Sequence, residues 1–373
     1  MRSAADPVIP PDVLRQLGQS SDLLGSWWLV GAIVILAAVL AAFAVRRRRR
    51  HRRTWPHWTG VGLTLLLALA QAANVVSGYM PNVHAARVTA AEWGSGRGTP
   101  LAHGTPVARA GQPAAGGQVP VDIPAPPELR MSNDPTWVYT PPGYDSSTDR
   151  YPLVVLIHGS PGHSGDWFAA GDVGRVMDVL LAHGLVQPMV VASVDVNGIG
   201  KGGLDTECLD STTGGAQTET YLTTVVLPYL DAHYRTRADA ADRAVGGFSS
   251  GGFCALDQGL RHPELFSTIL ALEPYSDPGS GGRAMLATTQ QFAAHDVGTY
   301  AATVPVGQGT ALFLGVAGSA FGSHDTSGRA VAKTLAARGM EVLVHTDHGQ
   351  SHTWSMARET IPYALMFASQ HAG

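Results

Sequence analysis

Two serines lie among four glycines in "AVGGFSSGGFCAL", residues 244 to 256. The pentad "GFSSG" (247–251) fits Gly-x-Ser-x-Gly, the pattern of a nucleophile held on a cramped turn between a strand and a helix. That turn leaves no room for side chains two positions either side of the serine, and Gly247 and Gly251 supply the space. Gly252 lets the following helix come close to the sheet. Ser249 is therefore the candidate nucleophile, and Ser250 the residue whose backbone N–H would face an oxyanion. A flexible glycine-rich loop with an incidental serine is the rival reading.

A serine hydroxyl needs a base, an acid to orient that base, and a second donor for the oxyanion. The second donor is expected after an early strand. In "VVLIHGSPGHSGDWF" (154–168) the N–H of Ser160 is placed for it, whereas Pro161 has no N–H. A phosphate loop is excluded here because no Gly-Lys-Ser/Thr follows. The base is expected before the last helix, where "DHGQSHTWSMAR" (347–358) offers His348 and His352, with His352 preferred. His345, His348 and His352 could instead be metal ligands, but no complementary carboxylate or cysteine set accompanies them, so neither a metal nor any other cofactor is expected. For the acid, chain order Ser, Asp, His favours Asp325, which follows the 311–318 run and precedes His352; a helix cap is its other reading. Asp277 and Glu273, at the end of the preceding strand, are the alternatives.

Positioning these groups calls for strands alternating with helices. "YPLVVLIHG" (151–159) and "PMVVASVDV" (188–196) are continuous apolar runs of the kind buried on both faces of a parallel sheet. Further strands are predicted up to Gly247 and over 267–275, 311–318 and 341–347. Helices are predicted between them, over 218–234 (with Pro228 as a kink), 327–339 and 354–370. Repeated βα units with right-handed crossovers imply an α/β sandwich around a mostly parallel sheet over 131–373.

The first third of the chain has another character. Residues 26–45 and 58–80 are two uncharged apolar stretches, each long enough to cross a bilayer. Between them, seven of the eight residues Arg46 to Arg53 are arginine. Arginine favours the cytoplasmic side, so the loop 46–57 is expected inside, with residues 1–25 and everything after 81 outside the cytoplasm. The chain as a whole carries −4, so the rest is strongly acidic, which argues against nucleic acid as partner. A signal peptide built from the arginine run and the second apolar stretch is the rival reading; it too exports the C-terminal part. Residues 81–130, rich in Gly, Ala and Pro, read as a flexible linker.

"VYTPPGYDSSTDRYPLVVLIHG", "GGFSSGG", "RHPELF" and "SHTW" together make residues 135–370 resemble the esterase family of α/β hydrolases that includes esterase D, feruloyl esterases and the antigen 85 mycolyltransferases. The resemblance implies Ser249 as nucleophile, His352 as base, the N–H groups of Ser160 and Ser250 as oxyanion hole, and Asp166 and Trp167 as substrate contacts. In many relatives the acid comes sooner after its strand, where this chain has Phe321. The aromatic-rich stretch of the mycolyltransferases is absent; "VNGIGKGGLDTECLDS" (196–211) stands in its place.

The activity implied is a membrane-anchored, extracytoplasmic esterase working through an acyl-serine. The substrate would be an acyl ester, a lipid or cell-wall glycan ester among the options, and the bilayer itself is a further partner. An acyltransferase acting on envelope lipids or glycans, or an inactive binding domain, are the alternatives. The only two cysteines, Cys208 and Cys254, are expected to pair, because an exported domain meets an oxidising environment.

Overall fold

The protein's structure, a computed structural model, describes residues 6–19, 21–50, 54–95, 115–132, 134–307, 309–318 and 323–373. It begins with a short helix α1 (Pro11–Gly18), then α2 (Trp27–Arg48), α3 (Trp55–Ser77) and α4 (Val83–Ser95). The strands β1 (Gly117–Val121), β2 (Thr136–Thr140) and β3 (Leu153–Ile157) lead into α5 (Asp166–Ala169) and α6 (Val173–Ala182). After β4 (Val190–Val194) come α7 (Thr218–Tyr221) and α8 (Leu227–His233), and then β5 (Arg243–Phe248) and α9 (Ser250–Arg261). β6 (Thr268–Leu272) is followed by three short helices, α10 (Gly279–Met285), α11 (Thr289–Ala294) and α12 (Val297–Tyr300). The chain closes with β7 (Ala311–Ala317), α13 (Ser323–Ala337), β8 (Glu341–Asp347) and α14 (Trp354–His371).

All eight strands form one sheet, in the order β1-β2-β4-β3-β5-β6-β7-β8. From β4 to β8 every neighbouring pair is parallel, while β1 and β2 run antiparallel at one edge. β3, β4, β5 and β6 are buried along their whole length, which is why their sequences are unbroken apolar runs. Two apolar layers cover the sheet. One holds Phe253, Leu256 and Leu230, the other Trp167, Phe168, Met177 and Phe367.

The register puts the ends of β3, β5 and β6 side by side, with Ile157 opposite Gly247 and Phe248 opposite Leu272. Ser160, Ser249 and Glu273 follow those three strand ends, and His352 arrives from the loop after β8.

Three elements depart from the sequence reading. β1 and α4 fall inside the 81–130 segment expected as linker; α4 buries Ala85 and Val88 completely, and β1 hydrogen-bonds along β2. Residues 96–114 of that segment lie outside the described residues. Edge strands tolerate proline, so Pro120 did not signal the pairing that β1 makes. The predicted helix 218–234 is split by a π-helical turn at Leu222–Val226, immediately before Pro228. The wider turn accommodates a residue that cannot donate to the i−4 carbonyl.

α2 and α3 pack against each other and leave most of their apolar surface uncovered: Leu36, Val39, Leu66 and Leu69 are all exposed. Trp27 and Trp28 stand at one end of the pair, Trp55 and Trp58 at the other. Among the described residues these are the two helices long and apolar enough to cross a membrane.

Cys208 and Cys254 form a disulfide with their Cα atoms 5.5 Å apart. The bond closes a loop of 46 residues and ties the 196–211 segment to α9. In the chain-entropy relation a loop of that size stabilises by roughly 4 kcal/mol. Replacing both cysteines by serine should lower the unfolding free energy by about that amount in denaturant titration; a loss below about 1 kcal/mol would contradict the estimate.

Candidate active site

Ser249 occupies the junction between β5 and α9 with φ +61° and ψ −117°, a backbone conformation that non-glycine residues rarely adopt. The surroundings force it. A Cβ on Gly247 would lie 2.2 Å from the carbonyl oxygen of Gly251, and one on Gly251 would lie 2.2 Å from that of Ile157. Strand, turn and helix thus touch backbone to backbone, and the strained serine is pinned by the N–H of Ser249 donating to Leu272 O at 3.0 Å. Strain of this kind costs on the order of 1–3 kcal/mol and persists only where its neighbours over-determine it.

His352 comes from the loop between β8 and α14. Its Nε2 lies 2.9 Å from Ser249 Oγ, and its Nδ1 lies 3.1 Å from Glu273 Oε2. Glu273 follows the last residue of β6, the strand beside β5, and is buried. Its other oxygen accepts the backbone N–H of Ala317 at the end of β7. Its own N–H donates to Gly315 O at 2.8 Å, and its φ of +48° turns the chain sharply off the strand. The ring of Phe248 packs at 4.8 Å from that of His352. Serine, imidazole and carboxylate therefore form one hydrogen-bonded line across three adjacent elements.

Among the described residues, the carboxylate at His352 Nδ1 is that of Glu273, one of the two alternatives to Asp325. Asp325 lies in the first turn of α13, and its side chain and Phe321 are outside the described residues. Asp277 caps the backbone of Gly279 at 2.9 Å, a local turn contact. The signal for Glu273 was present in "TILALEPY": a single acid abutting a fully apolar strand next to the nucleophile strand. Glutamate carries one more methylene than aspartate, so it spans from β6 to the imidazole without a longer loop.

The loop after β3 sits against the elbow. A Cβ on Gly159 would be 3.5 Å from that of Ser249. His158, buried beneath the loop, has Nδ1 2.8 Å from Gly159 O and accepts the N–H of Val196 at Nε2. Burial opposes charge on His158, but its hydrogen bond and charge interaction with Asp195 outweigh that and raise its pKa. The backbone N–H groups of Ser160 and Ser250 have no acceptor among the described residues, as an oxyanion hole requires. Ser160 Oγ donates to Leu204 O at 2.8 Å, so the 196–211 segment forms the adjoining wall.

Asp166 and Trp167 do not reach the site surface. Both are buried in α5: Trp167 Nε1 donates to Ile157 O at 2.8 Å, and its ring meets Trp354 edge-on. Asp166 accepts from Tyr79 Oη at 2.6 Å and from the His163 N–H at 3.0 Å. Their role is to brace the β3 loop, because a buried indole N–H and a buried carboxylate each need an internal partner.

The three histidines weighed as a metal set are separated by their partners. His345 pairs with Asp6 and Asp347, while His352 pairs with Ser249 and Glu273. Two other groups, Asp134–His163–Asp195 and Glu219–Asp257–His295, gather ligand-type atoms within 4.8 Å. In the second, Asp257 is taken by Tyr300 at 2.8 Å and His295 at 2.9 Å. In the first, Asp195 is held by Ser132, Asn197 and His158. Protein partners thus engage both oxygens of the buried carboxylate in each group.

Beside Ser250, the buried Glu207 accepts from Tyr275 Oη at 2.5 Å and 2.7 Å. Burial first, then the charge of Asp205, pushes the Glu207 carboxyl up to about 9, so it is neutral at pH 7.

Comparison with known proteins bears on these residues. The family model described as "Putative esterase" matches residues 131–364. An uncharacterised protein of Corynebacterium glutamicum is 29% identical over 214 residues, covering 57% of this chain and 48% of that protein. An endo-1,4-beta-xylanase/feruloyl esterase of Xylanibacter ruminicola is 31% identical over 136 residues, 35% of this chain and 18% of that one. An esterase of Mycobacterium tuberculosis is 29% identical over 143 residues, 38% and 29% of the two chains. This chain therefore spans about half or less of the length of these relatives. Among solved structures, a ferulic acid esterase aligns with TM-score 0.59 at 20% identity, over 69% of this chain and 99% of that one. An S-formylglutathione hydrolase from Agrobacterium tumefaciens aligns with TM-score 0.59 at 16% identity, over 70% and 97%. At those identities the structural matches speak for the α/β-hydrolase fold.

The state of Glu207 has a pH signature. Its folded-state pKa is raised from 4.5 to about 9, so its contribution to stability is complete below 4.5 and is lost as pH rises toward 9. Unmodified protein should lose stability over that window, and Glu207→Gln should lose less. Denaturant midpoints across the window check this; equal slopes would remove Glu207 as the source.

Proposed function

From the chain's membership of this esterase family, established by a match over residues 131–364, we propose a membrane-anchored, extracytoplasmic serine esterase that cleaves acyl esters through an acyl-serine. The observation that carries the proposal is the line Ser249–His352–Glu273, with hydrogen-bond distances of 2.9 Å and 3.1 Å on a strained elbow.

In this mechanism His352 Nε2 takes the Ser249 proton as Oγ attacks the ester carbonyl. Glu273 holds the imidazole in the tautomer that leaves Nε2 free, and balances the imidazolium that forms. The N–H groups of Ser160 and Ser250 stabilise the tetrahedral oxyanion; one such donor contributes on the order of 10²–10³ in turnover. His352 then protonates the departing alcohol and activates water to release the acid. An alcohol in place of water would give acyl transfer by the same steps, so product analysis with and without sugar or glycerol acceptors identifies the acceptor.

Three observations support the location. Arg46 to Arg50, at the end of α2 and just beyond it, lie at the far end of the α2–α3 hairpin from the catalytic domain. α1, on the other side of α2 in sequence, docks on the catalytic domain: Arg175 donates to Gln16 O and Leu17 O. Both ends of the hairpin are therefore on one side of it. The disulfide suits an oxidising compartment.

Ser249→Ala should fold normally, lose fluorophosphonate labelling, and lose roughly 10⁴-fold or more in kcat. Glu273→Gln should cost far more turnover than Asp325→Asn; the reverse order would return the acid role to Asp325. For topology, a reporter at the C-terminus should be active only outside the cytoplasm, and a cysteine at Arg50 should resist impermeant reagents in intact cells. Labelling at position 50 would invert the arrangement.

A further inference from the structure

The hairpin is clasped by the catalytic domain at the rim of the site. The carbonyl of Gly78, one residue beyond α3, accepts from Arg358 Nη1 at 3.0 Å, and Arg358 also donates to Ala170 O at 2.6 Å. A Cβ on Gly78 would fall 2.2 Å from Ser355 Oγ, so α3 ends directly against the first turn of α14. Tyr79 Oη donates to Asp166 in the loop after β3. Asn74 fixes the exit of the hairpin by bonding Met80 O at 3.0 Å and receiving Met80 N–H at 2.7 Å. Ser355 is three residues from His352, at most about 10 Å of extended chain. The end of the span therefore packs on the helix that follows the loop of the catalytic base.

A second observation lies on the segment that adjoins the oxyanion loop. Beyond residue 83, the exposed large apolar side chains among the described residues are Ile199 at 55%, Leu204 at 72% and Val344 at 39%. Two of these three stand on the segment whose Leu204 carbonyl holds Ser160, the oxyanion-loop residue. Two exposed apolar side chains on one segment beside Ser160 offer apolar area that an acyl chain would cover.

We propose that the site takes its ester from the bilayer leaflet: an amphiphilic lipid acyl ester whose chain leaves the membrane beside the end of α3 and is covered by Leu204 and Ile199. The proposal rests on the serine-esterase reading and on α2 and α3 as membrane spans. Rigid clasping at Gly78, Tyr79 and Arg358 is what distinguishes it from a domain on a loose tether, which would sample soluble esters equally well.

The test uses the full-length chain reconstituted in phosphatidylcholine–phosphatidylglycerol vesicles. Two probes are compared: 4-methylumbelliferyl palmitate held in the vesicle and 4-methylumbelliferyl acetate in solution. Leu204→Asp should lower the ratio of palmitate to acetate kcat/KM by about 10-fold or more, the loss expected from uncovering one leucine-sized contact, and Leu204→Met should restore it. An unchanged ratio in Leu204→Asp overturns the proposal. So does unmodified protein that hydrolyses acetate but not palmitate, which leaves the esterase reading standing. Absence of turnover on both probes together with no fluorophosphonate labelling sinks the esterase reading itself.

Discussion

Backbone meeting backbone at the end of β5 is the constraint on which the site depends. Gly247, Ser249 and Gly251 bring strand, turn and helix so close that no Cβ fits at either glycine, and the contact extends to Ile157 of β3. Because protein interiors are packed like crystals, a side chain there would have to shift whole elements. The serine is held at φ +61° as a consequence, and its hydroxyl projects where three strands end. Strain of a few kcal/mol is tolerable because the surrounding parallel sheet buries five strands along their full length.

The remaining candidate catalytic groups arrive from the ends of neighbouring strands. β6 lies beside β5 and delivers Glu273, and the N–H of Ala317 on β7 orients that carboxylate from its far side. β8 delivers the loop of His352. A hydrogen bond in such a buried site contributes more than one in water, so the Ala317 contact fixes the geometry of the carboxylate. The same logic explains Asp166 and Trp167, which brace the loop of Ser160 from beneath rather than meeting a ligand.

The N-terminal third is part of the same mechanical unit. Gly78, Tyr79 and α4 pack on the loops that flank the nucleophile, and α1 lies along α6. The end of the hairpin is therefore held against one edge of the domain rather than joined to it by a loose tether.

The sequence by itself determined the elements whose signals are local. Unbroken apolar runs marked the buried strands, Gly-x-Ser-x-Gly marked the elbow, and "SHTW" marked the base, because each depends on periodicity or on the space around one residue. The two uncharged stretches marked the hairpin for the same reason. What only the tertiary structure decided were the relations between distant segments. Glu273 and Asp325 both follow strands at plausible spacings, and the pairing of His352 with Glu273 comes from β6 lying next to β5. Asp166 and Trp167 carry chemistry-capable side chains, yet burial turned them inward. β1 and α4 carried too weak a local pattern to be seen within a Gly-, Ala- and Pro-rich stretch, since an edge strand and a docking helix are stabilised by the partners they find and not by their own propensity.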